Sequence, residues 1–146
     1  MKFEAYDIEE IDPLTYEFVS VGPMGRIRKR VRYREIHLAP DVYNLSLADV
    51  NENEELDYVV ITNNHDTGKV LTTVMRTIVL FFETYPTKFV CILGSTASRR
   101  RLYRMMLSRN YEAFGNTFKF FGLVGEKWHP FRKNVAYTGY LIEKID

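Results

Sequence analysis

Apolar and polar residues alternate along much of the first 60 positions, and the period changes near residue 67. Residues 15–21, TYEFVSV, alternate as a strand with one buried face. Gly22-Pro23-Met24-Gly25 follows with the chemistry of a tight turn. Residues 26–36, RIRKRVRYREI, alternate strictly and read as the hairpin partner of the first strand. Pro40 and Asp41 punctuate the chain. Residues 42–50 form a third expected strand, with Tyr43, Leu45 and Leu47 on one face. Residues 56–62, LDYVVIT, form a fourth, apolar on both faces towards its end and therefore expected to lie centrally in the sheet.

Leu71, Val74, Ile78, Phe81 and Tyr85 are then spaced 3, 4, 3 and 4. That spacing is the buried stripe of an amphipathic helix. Asp66 or Thr67 can cap its start, and Pro86 marks its end. Residues 89–93, FVCIL, read as a short buried strand, and Gly94-Ser95-Thr96 turns the chain into a second helix over 98–113. A strand over 118–124, a loop anchored by Trp128 and Phe131, and a last strand over 135–142 complete the pattern. The expected architecture is a single α+β domain over residues 1–146. Its order is ββββ-α-β-α-ββ, with two helices packed on a mostly antiparallel sheet. The first helix is expected to make strands four and five a parallel pair.

Composition narrows the class. The chain has 146 residues, 46% hydrophobic, 27% charged and 14% aromatic, which fits one folded core and excludes disorder. One cysteine, Cys91, excludes a disulfide framework and a multi-cysteine zinc site. No apolar run is long enough to cross a bilayer, and the acidic amino-terminal stretch does not resemble a secretion signal. A cytoplasmic location is expected. The net charge of +1 hides an asymmetry: residues 1–60 carry 7 basic and 13 acidic side chains, and residues 61–146 carry 13 and 6. The halves can neutralise each other, or the basic half can meet an anion.

Two basic groups stand out by position. Arg26, Arg28, Arg30, Arg32 and Arg34 occupy every second position of one strand, so all five point to one face. Successive guanidinium groups stand about 6.6 Å apart. Such a row suits a chain of phosphates, through charge-assisted contacts. It also suits a solvated face, or pairing with acids such as Glu17 or Asp49 on neighbouring strands. The second group is Arg99, Arg100 and Arg101 in the first turn of the second helix, where the helix dipole disfavours cations. Of these, Arg99 and Arg101 outline an anion site with Ser95, Thr96 and Arg104; alternatively Ser98 caps the helix and the arginines pair with acids.

Other signals carry less. His37, His65 and His129 lack metal-ligand spacing, and neither a metal site nor a cofactor is expected. Asp49, Asn51 and Asn53 imitate a calcium loop without its central glycine. Cys91 reads as an inert core thiol. Residues 63–69 join a strand to a helix and could present backbone N–H groups to a phosphate, with Asn64, Asp66 and Lys69 as ligand candidates, although Asp66 is a poor neighbour for a phosphate. The order of elements around this loop is similar to that of GCN5-related acetyltransferases. That similarity implies a coenzyme A loop at Gly68 and a general acid at Tyr103, although Val70 stands where a second glycine belongs.

A fuller resemblance covers most of the chain after residue 14. It rests on Thr62-Asn63-Asn64, Asp66-Thr67, Lys69-Val70-Leu71, Gly94-Ser95-Thr96, Arg99 and Arg101-Leu102-Tyr103-Arg104-Met105, with Gly22-Pro23, Gly25 and Tyr43-Asn44-Leu45. With these motifs the chain resembles a family of small uncharacterised proteins of Bacteroidetes-type bacteria. The resemblance implies a bacterial, cytoplasmic, single-domain protein and no particular activity.

Three functions remain open from the residues. One is binding of RNA, DNA or another phosphate-bearing ligand, through the arginine row and the Gly94–Arg104 segment. Another is group transfer at Asn64, Asp66 and Lys69 with Ser95, Thr96 and Tyr103, where Tyr103 and Ser95 are the catalytic candidates. The third is association with a protein partner, such as the other half of a two-gene module, steered by the charge asymmetry.

Overall fold

The structure is a computed structural model that describes residues 4–57, 63–94 and 96–145. It is an α+β fold with two helices on a mostly antiparallel sheet, as the periodicities predict. The strands are β1 (Glu9–Asp12), β2 (Thr15–Gly22), β3 (Gly25–Ile36), β4 (Ala39–Val50), β5 (Leu56–Asp57), β6 (Phe89–Leu93), β7 (Phe118–Val124), β8 (Lys127–Pro130) and β9 (Gly139–Lys144). The helices are α1 (Thr67–Thr84) and α2 (Ala97–Phe114). The chain divides into two compact units, residues 1–33 with 46–84, and residues 34–45 with 85–146, so β3 and β4 contribute to both.

In the first unit the hydrogen-bonded order is β1-β2-β3-β4, with β5 against the end of β4. The β2–β3 hairpin closes at the predicted turn, where Gly22 pairs with Gly25. Gly25 has φ +90°, a left-handed conformation that glycine adopts without strain. Val31 and Tyr33 of β3 are buried, as are Tyr16 and Phe18 of β2. The α1 stripe meets them. Tyr33 stacks on Phe81 at 4.6 Å between ring centroids, and its hydroxyl shares a 2.8 Å hydrogen bond with Thr77. Tyr16 meets Tyr33 edge-on at 6.0 Å. Each such buried aromatic contributes roughly 1.5–3 kcal/mol from apolar burial.

One residue on this face breaks the apolar pattern. Lys29 is fully buried, and its ammonium lies 2.7 Å from the Asp49 carboxylate, itself 8% exposed. Both charges leave water together, which is tolerable only because they are paired.

In the second unit the order is β4-β6-β9-β7-β8. Among the described residues the parallel partner of β6 is β4, through Val42–Asn44 against Phe89–Cys91, where a pairing with the strand over 56–62 was expected. The other edge of β6 is taken by β9. Of that expected strand only Leu56 and Asp57 are described; residues 58–62 lie outside the described residues. Tyr103, Met106 and Leu107 of α2 are buried with Val90, Ile92, Phe118, Phe120, Tyr140 and Ile142.

Three further differences from the sequence reading have local causes. The acidic segment 9–12 has no apolar alternation, yet it pairs with β2 as an exposed edge strand. Charges there deter further edge pairing. Residues 127–130, expected as a loop, pair with β7 in a hairpin that leaves Trp128 41% exposed, while Phe131 is buried. The last strand starts at Gly139 and not at residue 135, because Tyr137 folds over β7. Its ring takes the space that a side chain at Gly122 would fill, only 2.3 Å from an ideal Cβ. Its hydroxyl accepts the Arg132 amide at 3.0 Å.

The buried pair sets a stability test. Lys29→Met should lower unfolding stability by about 3–5 kcal/mol, since Asp49 stays buried without its ammonium. Adding Asp49→Leu to it should recover most of that loss in urea unfolding. A single variant as stable as the wild type would show the pair to be solvated.

Candidate functional site

The pleat of β3 decides where the arginines go. Lys29, Val31 and Tyr33 turn inward, so Arg26, Arg28, Arg30 and Arg32 stand on the opposite face of the first unit. Arg34, the next position on the strand, is exposed and belongs to the second unit. The hairpin register sets Arg26 opposite Val21, Arg28 opposite Val19, Arg30 opposite Glu17 and Arg32 opposite Thr15.

Glu17 organises the middle of the row. One carboxylate oxygen accepts Nη2 of Arg28 at 3.0 Å. The other accepts Nε of Arg30 at 2.6 Å and also contacts Nη2 of Arg30. Arg28 reaches a second acid, Glu54, at 2.7 Å. Burial alone would raise the Glu17 carboxyl, but the hydrogen bonds from Arg28 and Arg30 outweigh it and hold the group below its ordinary value. The Arg28 guanidinium is pushed up, chiefly by Glu54 and then by Glu17. Asp49, the other expected partner, serves Lys29 instead. Arg26, Arg32 and Arg34 have no acidic partner among the described residues. Tyr33 and Tyr43 are buried and do not join the arginine face; Tyr43 stacks on Tyr85 at 5.8 Å.

A cleft of about 440 Å³ opens at the Arg26 end of the row. Its walls come from residues 6–9 on one side and from β2 with Arg26 and Arg28 on the other. Tyr6 anchors the amino-terminal wall. Its amide donates to Thr73 of α1 at 2.9 Å, its ring stacks on Phe18 at 5.9 Å, and its hydroxyl donates to Asp66 at 2.5 Å. Burial, and then the Asp66 bond, raise the Tyr6 phenol above its ordinary value, so it stays protonated at neutral pH. Nothing in the local sequence marks Tyr6; only the fold brings it to Asp66.

The structure brings Asn64, Asp66 and Lys69 together around that tyrosine and the hairpin turn. Asn64 is 1% exposed; its side-chain oxygen accepts the Met24 amide at 2.6 Å. Its side-chain nitrogen donates to the Gly25 carbonyl at 2.9 Å and to the Ser20 hydroxyl at 3.2 Å. Gly22 is required beside it, since a Cβ there would lie 2.1 Å from the Asn64 carbonyl oxygen. Asp66 accepts the hydroxyls of Tyr6 and Ser20, each at 2.5 Å. The Lys69 ammonium sits 4.3 Å above the Tyr6 ring, a cation–π contact. These groups lock the hairpin to the start of α1 and leave the expected phosphate loop occupied by protein.

Gly94 and Thr96 are likewise spent on local structure. Thr96 caps α2 by accepting the Arg99 amide at 3.1 Å. Gly94 lets Arg100 approach: a Cβ would lie 2.8 Å from the Arg100 amide nitrogen. The Arg100 guanidinium returns to the Gly94 carbonyl at 3.2 Å. Arg99 is buried, Arg101 exposed and Arg104 half-buried. Ser95 lies outside the described residues. Tyr103 is 2% exposed in the core. The Tyr140 hydroxyl is buried with no hydrogen-bond partner among the described residues, and burial pushes its pKa up to about 12 against the opposing Arg104 charge. Burial pushes the Cys91 thiol up to about 11, so it carries no thiolate at neutral pH. Among the described residues no cluster of three or more His, Cys, Asp or Glu could hold a metal, and no helix is long and apolar enough to cross a membrane.

The fold and its turns are thus those of a small α+β protein whose motif residues mostly build structure. The chain belongs to DUF6934, a family of unknown function whose match spans residues 2–145. Neither a curated protein nor a solved structure matches it.

Glu17 gives the site a pH dependence. Its folded-state pKa lies below the ordinary 4.5, so its ion pairs stabilise the fold above that pH. The contribution is lost as pH falls through the depressed value. Thermal midpoints of the wild type should therefore drop faster below pH 4.5 than those of Glu17→Gln. Parallel curves for the two proteins would show that Glu17 is not the titrating group.

Proposed function

We propose that this protein binds a flexible polyanion, with single-stranded nucleic acid as the best fit, along the arginine face of β3. The reading is supported by one observation above others: Arg26 and Arg32, on one face of the first unit, have no acidic partner among the described residues. Arg34 continues the same strand in the same condition. Between them Glu17 holds Arg28 and Arg30 in fixed orientations, which lowers the entropy lost when an anion arrives. The regular strand spacing suits repeated phosphates, and a guanidinium row contacts them without reading base sequence. A cytoplasmic setting agrees with this reading.

Group transfer has less support, because Tyr103 is buried and the Thr96 hydroxyl caps a helix.

Fluorescence anisotropy with labelled oligoribonucleotides tests the proposal. Arg26→Ala with Arg32→Ala should weaken binding about tenfold near 0.1 M salt and flatten the plot of log affinity against log salt by about 1–2. Glu54→Ala should tighten binding modestly, since it removes an exposed acid from Arg28. Binding unchanged by the double arginine variant would overturn the reading.

A further inference from the structure

We infer that the cleft beside Arg26 and Arg28 receives one unpaired base of the bound strand and selects bases that carry an exocyclic amine. The inference rests on the polyanion reading above and adds a base preference that the arginine row alone cannot supply.

The cleft volume, about 440 Å³, falls in the range of small-ligand sites. Ile8, Val19 and Val21 give it apolar walls for a base ring. Arg26 and Arg28 stand at its edge, where a backbone phosphate would meet them as the strand passes along β3. Asp7 and Glu9 line the remaining side, exposed and without ion pairs among the described residues, while the third carboxylate of the lining, Glu17, is taken by Arg28 and Arg30. Carboxylates accept hydrogen bonds and cannot donate them. They repel phosphate, so this part of the cleft suits a group that donates.

The N4 amine of cytosine is such a group, and Asp or Glu is its natural acceptor. Uracil has the same ring size but places a carbonyl oxygen at that position, facing the carboxylates. Adenine and guanine also carry amines. In a duplex those amines are held in base pairs, so the cleft favours a single strand with its bases splayed out.

The test compares oligocytidylate with oligouridylate of equal length by anisotropy at neutral pH. Both have the same phosphate charge, so the arginine row contributes equally to each. The C oligomer should bind about tenfold more tightly, from the hydrogen bond that its N4 amine gives to a carboxylate and that uracil, which presents an acceptor there, cannot give. Asp7→Asn with Glu9→Gln replaces the carboxylates by amides that both donate and accept. Both side chains are exposed, so circular dichroism and urea unfolding should match the wild type. In this variant the C-over-U ratio should fall to about one while neither oligomer binds more weakly than before. Equal wild-type affinities, or a preference that survives the double variant, would overturn the base-selective cleft and leave the arginine surface standing. Absence of binding by either oligomer would remove the polyanion reading and the cleft with it.

Discussion

The two-residue repeat of β3 is the constraint on which the rest depends. A strand that buries Val31 and Tyr33 against α1 must show Arg30, Arg32 and Arg34 on its other side. The core contact is strong: Tyr33 stacks on Phe81, bonds Thr77 and abuts Tyr16. Slipping the register by one residue would bury arginines and expose the tyrosine. The hydrophobic side of the strand thereby positions the charged side, and Glu17 on the neighbouring strand trims the row by holding two of its members.

Polar residues with the look of chemistry do much of the remaining structural work. Asn64 supplies its oxygen to the Met24 amide and its nitrogen to the Gly25 carbonyl, and so binds both sides of the hairpin turn. Asp66 gathers two hydroxyls, and Lys69 covers the ring of one of them. Burying such groups is costly unless they bond each other, and here they do. The same logic explains Gly94 and Thr96. A glycine is needed where Arg100 crowds the backbone, and a hydroxyl is needed where the first turn of α2 leaves an amide free.

Much of this was legible along the chain. The hairpin at Gly22 and Gly25, the α1 stripe, the second helix and the inward face of β3 all follow from local periodicity and turn chemistry. The parallel pairing of β6 with β4 was not legible, because strand partners depend on contacts distant in sequence. Nor was the start of β9, displaced from residue 135 to Gly139 because Tyr137 fills the space over Gly122. The acidic β1 escaped notice because an exposed edge strand needs no apolar face.

The sequence by itself determined that five arginines share one strand face and that α1 turns an apolar stripe inward, since both follow from side-chain period. Only the tertiary structure decided which charges are spent. It set Glu17 between Arg28 and Arg30, sent Asp49 to Lys29, and carried Tyr6 across to Asp66 to wall a cleft. Ion pairs and clefts are made between segments far apart in the chain, and local pattern holds no record of those meetings.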